Sequence, residues 1–203
     1  MLRRPFLITL AALAMSSLAL AQSAAAVNPQ VEFDTTAGKI RVELYPDAAP
    51  KTVANFLDYV KARHYDGTQF HRVIDGFMIQ GGGFADDFSE KPTRPPVVNE
   101  SEQSSKAGLL NVTGTLAMAR TSDPNSATAQ FFINVNDNKG LNFPQNNGYT
   151  VFGKVVAGMD VVNKIAKSPK GGGPALPPGA RLDPRDLPTS HVLIKSAYIV
   201  EAK

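Results

Sequence analysis

One arginine and one glutamine stand among large apolar residues in the stretch Phe70–Gly82, FHRVIDGFMIQGG, around an Asp75-Gly76 turn. Arg72 cannot serve as a general base, because a guanidinium keeps its proton at any working pH. It can donate hydrogen bonds to an atom that gains electron density during a reaction. Rotation about an X-Pro bond needs little more than that. Its barrier of about 18–20 kcal/mol comes from amide resonance, and in the twisted state the proline nitrogen regains its lone pair. A donor held at that nitrogen would favour the twisted form over the planar one, and such differential binding is catalysis. The apolar floor around the arginine would hold the proline ring and keep competing water away.

Other chemistries have less support. The chain has no cysteine, which excludes thiol nucleophiles, thiolate metal sites and disulfides. Its three histidines lack metal-ligand spacing such as H-x-x-x-H, and no G-x-S-x-G elbow occurs for a hydrolase. Gly81-Gly82-Gly83 is not followed by Lys-Ser/Thr, so it reads as close backbone packing rather than a phosphate loop. His71, next to the arginine, points to the opposite face of its strand and reads as structural. No cofactor or metal is required.

The elements that must hold Arg72 and Gln80 follow from hydrophobic period. A two-residue hairpin loop would set Arg72 against Ile79. A three-residue loop, Asp75-Gly76-Phe77, pairs Ile74 with Met78 and Arg72 with Gln80. The second register is preferred, because it lines Arg72, Met78 and Gln80 on one surface, with Phe77 at the rim, and lets the glutamine amide hold the guanidinium. Alternation marks further strands at Val31–Thr35 and Lys39–Leu44 (a hairpin around Ala37-Gly38), Thr68–Ile74, Met78–Gln80, Thr115–Ala119, Gln130–Val135, Tyr149–Val155 and Val192–Val200. Val53, Phe56, Leu57 and Val60 trace one face of a helix that starts near Pro50, and a second helix runs from Met159 to Lys167. Many short strands with two helices predict a closed barrel or a sandwich. Phe84–Gly108 and the Gly/Pro-rich Ser168–Ser190 read as irregular, the latter as a long surface loop.

The first residues are set apart from the fold. Arg3 and Arg4 precede a charge-free apolar run, and Ala19-Leu20-Ala21 fits a signal-peptidase site, with Ala24-Ala25-Ala26 as a second possibility. A membrane anchor needs about 20 strongly apolar residues, and this run is diluted by serine and alanine, so no stable anchoring is expected. Arg3-Arg4-Pro5-Phe6-Leu7 also resembles a twin-arginine signal, so Sec and twin-arginine export both stay open, and a periplasmic location is expected by either. The remaining 27–203 makes one domain. The whole chain of 203 residues carries 21 basic and 18 acidic side chains; loss of the two leader arginines leaves 19 against 18. With so little charge and no basic cluster, nucleic acid is not an expected partner.

Three motifs in order, FHRVIDGFMIQGG, GTLAMARTSDPNSATAQFFINV (Gly114–Val135) and GYTVFGKVVAGMDVV (Gly148–Val162), resemble the cyclophilin family of peptidyl-prolyl cis-trans isomerases, most of all its exported bacterial members. The resemblance implies an eight-stranded antiparallel β-barrel capped by two α-helices. It implies Arg72 as the catalytic arginine and Gln80 as its hydrogen-bonding neighbour. Phe77, Met78, Phe132 and Leu141 match the proline pocket, while Ala119 and Gln130 match the groove for residues before the proline. Arg120 stands where an asparagine commonly offers backbone contacts, and Tyr149 replaces a histidine at the pocket edge. Gly140 falls where tryptophan or phenylalanine walls the inhibitor surface, so weak cyclosporin binding is expected. The implied partners are proline-containing peptides and unfolded exported proteins, met by a monomer. The rival reading is a peptide-binding chaperone or docking module on the same fold, favoured by the length of Ser168–Ser190.

Overall fold

Alternating residues build the first hairpin and choose its inside. In β1 (Gln30–Thr35) Val31 and Phe33 are fully buried, as are Ile40, Val42 and Leu44 of β2 (Gly38–Leu44). The turn is tied by Thr35 Oγ1, which accepts from the Ala37 and Gly38 N–H groups at 3.1 Å each. On the outer face Glu32 is covered by Lys39, Arg41 and Tyr198, which all donate to its carboxylate. The computed structural model describes residues 27–171, 176 and 182–201, and the leader expected over 1–21, or extending to 26, lies outside them.

The remaining strands are β3 (Thr68–Gln69), β4 (Arg72–Ile74), β5 (Met78–Gly81), β6 (Thr115–Met118), β7 (Phe131–Asn134), β8 (Val151–Ala157) and β9 (Leu193–Val200). They form one antiparallel sheet in the order β3-β9-β1-β2-β8-β6-β7-β5-β4. The two edge strands are consecutive pieces of chain, separated only by Phe70 and His71. The segment expected as one strand, Thr68–Ile74, therefore pairs with β9 through its first half and with β5 through its second. This is why nine strands are found where eight were expected: the curled sheet is brought round onto itself by a single segment that serves both edges. The Phe70 N–H bridges the break by donating to Val192 O at 2.9 Å.

Inside the curl lies an aromatic core. Phe33 stacks on Phe131 with ring centres 5.2 Å apart, and Phe56 meets Phe152 at 5.1 Å. Phe56, with Val53 and Val60, comes from the buried face of α1 (Pro50–Lys61), and Val162, Ile165 and Ala166 come from α3 (Met159–Ala166). A third helix, α2 (Ser101–Lys106), corrects the expectation of two and lies in the stretch read as irregular. Six residues are too few to show a period; the first N–H of the helix, on Ser101, donates to Asn99 Oδ1 at 2.8 Å. Just ahead of α2, buried Glu100 caps α1 from a distance, accepting from the Lys51 and Thr52 N–H groups at 3.1 and 2.8 Å and from Thr52 Oγ1 at 2.7 Å. Ala49, the residue at the α1 N-cap, has no side chain able to do this. No helix among the described residues is long and apolar enough to cross a membrane.

Candidate active site

Successive residues of a strand face opposite ways, and four neighbouring strands use this to carry two separate apolar surfaces. Ile79, Phe131, Ile133, Leu116, Met118 and Phe152 point into the aromatic core. Their neighbours Met78, Phe132, Ala117 and Val151 form a second cluster, against which Phe77, Ala119, Leu141 and Tyr149 pack. Met78 and Phe132 of this second cluster line a cavity of about 110 Å³ on the outer face of the sheet. Ordinary core burial therefore does not account for Phe77, Met78, Phe132 and Leu141.

The β4–β5 hairpin takes the three-residue-loop register: Arg72 lies opposite Gln80, and Ile74 opposite Met78. Gly76, with φ 70°, supplies the left-handed turn residue. The next strand sets Phe132 beside Gln80. These pairings bring Arg72, Gln80, Met78 and Phe132 to one surface, and Phe77, Ala119, Arg120, Leu141 and Tyr149 complete the cavity lining. Gln130 stands behind that lining, where its Oε1 accepts from Gln80 Nε2 at 2.9 Å and its backbone carbonyl accepts from the Ala119 N–H at 3.0 Å. Gly83 makes room for it, since a Cβ there would lie 2.6 Å from the Gln130 side chain.

One expected contact is absent. The Gln80 amide does not hold the Arg72 guanidinium; it donates to Gln130. Arg72 donates its Nε–H to Asp186 Oδ2 at 3.0 Å, forming an ion pair with a residue of the Gly/Pro-rich loop. A side chain from a loop 114 positions away arrives beside Nε, while Gln80 finds a nearer acceptor on the adjacent strand.

The far wall is made by Arg120 and Tyr149. The Arg120 guanidinium lies 4.3 Å from the centre of the Tyr149 ring and donates to the carbonyls of Thr121, Asn146 and Gly148. Stacked and hydrogen-bonded in this way, it is a fixed wall rather than a free surface cation. Tyr149 meets Phe132 edge-on at 5.8 Å. A Cβ at Gly140 would meet nothing within 4 Å, so a larger side chain there would have open space.

Sequence reasoning missed an asparagine chain behind the pocket. Asn138 Nδ2 donates to the Phe77 carbonyl at 2.9 Å and to Asn134 Oδ1 at 2.7 Å, and Asn134 Nδ2 donates to Thr115 Oγ1 at 2.9 Å. Asn111 Nδ2 reaches the Leu141 and Tyr149 carbonyls at 3.1 and 3.3 Å. These bonds fix the backbone of three pocket residues. Asparagines read as turn formers in sequence; the one available signal was Asn134, a polar residue inside the strand run FFINV.

His71 is buried on the face opposite Arg72, edge-on to Phe84 with ring centres 4.7 Å apart, and its Nδ1 has no hydrogen-bond partner among the described residues. Burial, with a smaller contribution from the Arg72 cation, pulls its pKa down to about 4, so it is neutral at pH 7. No group of three or more His, Asp or Glu side chains converges into a metal site among the described residues.

Residues 30–198 match the family model described as cyclophilin type peptidyl-prolyl cis-trans isomerase/CLD. Peptidyl-prolyl cis-trans isomerase cyp18 of Streptomyces antibioticus is 51% identical over 84% of this chain and 98% of its own length. Peptidyl-prolyl cis-trans isomerase B of Escherichia coli is 49% identical over 84% of this chain and 99% of its own. The crystal structure of a cyclophilin-type isomerase from Cryptosporidium parvum superposes with a TM-score of 0.67 at 26% identity, covering 87% of this chain and 99% of that one. The same protein was also crystallised in the presence of the dipeptide Ala-Pro. With matches of this extent to model, sequence and fold, the chain belongs to the cyclophilin-type peptidyl-prolyl cis-trans isomerases and is an enzyme of that class.

Proposed function

We propose that the protein accelerates X-Pro rotation in exported proteins, with Arg72 donating to the proline nitrogen of the twisted amide. The observation that carries this is a paired arginine at the edge of an apolar cavity floored by Met78 and Phe132. The proline ring sits on that floor against Phe77 and Leu141, and residues before the proline run past Ala119 with Gln130 beneath. Arg72 cannot exchange a proton, so its role is electrostatic: its N–H groups bond better to the pyramidal nitrogen than to the planar amide. A ~10⁵-fold acceleration needs about 7 kcal/mol of transition-state stabilisation, within reach of a fixed donor plus an oriented, water-poor pocket. The export leader expected at the N-terminus supports a periplasmic site of action and folding clients as substrates. Direct capture of exported chains without turnover is the weaker reading, because the described end of the 168–190 loop is bound to Arg72 rather than presented for docking.

The test is cis-to-trans exchange of a short X-Pro peptide with the mature protein and with Arg72→Ala. Removing one transition-state donor should cost about 10²-fold in kcat, with the variant still folded by circular dichroism. Equal rates for the two proteins would refute the assignment of Arg72.

A further inference from the structure

The loop that holds Asp186 is attached to the active-site strand in two ways. The Val73 N–H, next to Arg72 on β4, donates to the Asp186 carbonyl at 2.8 Å, and the Asp186 carboxylate accepts from Arg72 Nε at 3.0 Å. Leu187 beside it is buried, and the Thr189 N–H donates to Pro169 O at 2.8 Å, closing the described loop end onto the residues after α3. The neighbouring cation does not compete, since Arg185 is paired with Asp183 at 2.6 Å. Asp186 is thus a backbone-anchored carboxylate aimed at one nitrogen of one arginine.

That choice of nitrogen matters. A guanidinium is planar and carries five N–H donors. Holding it at Nε restrains it while leaving both terminal nitrogens without a side-chain partner among the described residues, and Arg72 lines the cavity. Among the described residues, the Arg72 side chain has no other hydrogen-bond partner. We propose that Asp186 is a positioning residue for the isomerisation: it fixes the Arg72 guanidinium through Nε, so that the terminal N–H groups are already aimed when the proline nitrogen turns towards them. This rests on the reading of Arg72 given above. It assigns a role to the Gly/Pro-rich loop, which completes the site by bringing a carboxylate to the edge of the sheet.

The pair is partly open to water, with side-chain exposures of 43% for Arg72 and 25% for Asp186. Its direct contribution to stability is therefore small, and its effect should be on rate, because donor geometry governs transition-state stabilisation more steeply than it governs folding.

The experiment measures kcat and KM on an X-Pro peptide for wild type, Asp186→Ala, Asp186→Asn, Arg72→Ala and the Arg72→Ala/Asp186→Ala double variant, with the Arg72 Nε–Hε resonance followed by NMR. Asp186→Ala should lower kcat about fivefold to tenfold, change KM by less than about twofold, and shift the Nε–Hε resonance. Asp186→Asn, which keeps an acceptor oxygen, should recover part of the rate. In the Arg72→Ala background the Asp186 change should have no further effect. A wild-type rate for Asp186→Ala, or an equal fold-loss in both backgrounds, would overturn the inference. Leu187→Ala is the control for loop anchoring: if it reproduces the full rate loss with the Nε–Hε signal unmoved, the loop is structural and Asp186 is not positioning the arginine. An inactive wild type would overturn the isomerase reading and this inference with it, and is told apart because it needs no variant.

Discussion

The buried histidine beside Arg72 should make this enzyme acid-sensitive in a defined pH window. In the unfolded chain His71 titrates at its ordinary 6.5, whereas in the fold its pKa lies at about 4. Between these values the unfolded chain binds a proton that the folded one refuses, so stability falls as pH falls. Above pH 6.5 both states are neutral and the full contribution is present; below about 4 both are protonated and it is gone. Each pH unit of difference is worth about 1.4 kcal/mol, so the whole window amounts to about 3 kcal/mol. Against a typical domain stability of about 5–15 kcal/mol that is a large share. Urea unfolding at pH 7.5, 6.5, 5.5 and 4.5, with a constant m value checked, reads it directly. In His71→Gln the slope near pH 5 should drop by about 1.4 kcal/mol per pH unit. His64, lowered by its own burial, acts in the same direction but is unchanged in the variant, so the difference between the two proteins isolates His71. Glu32, held at about 2 by hydrogen bonds from Lys39, Tyr198 and Arg41, loses its contribution only below its usual 4.5 and falls outside most of the window. Equal slopes for wild type and His71→Gln would refute the reasoning.

Two further outcomes are expected. Glu100→Ala strips the acceptor from two backbone N–H groups and the Thr52 hydroxyl at the start of α1. It should cost about 2–3 kcal/mol in urea unfolding, with Glu100→Gln in between; a loss below about 0.5 kcal/mol would show that water replaces the cap. Gly140→Trp places a ring where a Cβ meets open space, so it should leave stability within about 0.5 kcal/mol. It should tighten cyclosporin binding about tenfold by adding apolar contact area. The new indole is the only tryptophan in the chain, so its fluorescence follows the titration; the wild type is measured by inhibition of turnover, and equal affinity for both would refute the expectation that Gly140 weakens this binding.

Local physics was legible in the residues themselves. Period-two alternation placed the strands to within a few positions, and the same alternation divides Ile79 from Met78 and Phe131 from Phe132, which separates core from pocket. The three-residue loop at Asp75-Gly76-Phe77 could be chosen because a one-residue slip would have turned Arg72 away from Gln80. The apolar face of α1 followed from spacing, since a helix brings residues three and four apart together.

What the chain order concealed was every contact made by a polar group over long range. Hydrogen bonds carry no periodicity, and a carboxylate in a Pro-rich loop looks the same whether it faces water or an arginine 114 positions away. Gln80 could be set opposite Arg72 by register, but its choice of Gln130 as partner depended on how β5 and β7 lie side by side. Glu100 could be seen as an acid before a short polar run; that it caps α1 follows only from where the fold sets it, beside Lys51 and Thr52. How the sheet closes was hidden for the same reason. A seven-residue run reads as one strand from its own sequence, and only the curl of the whole sheet decides that its two halves pair with different neighbours.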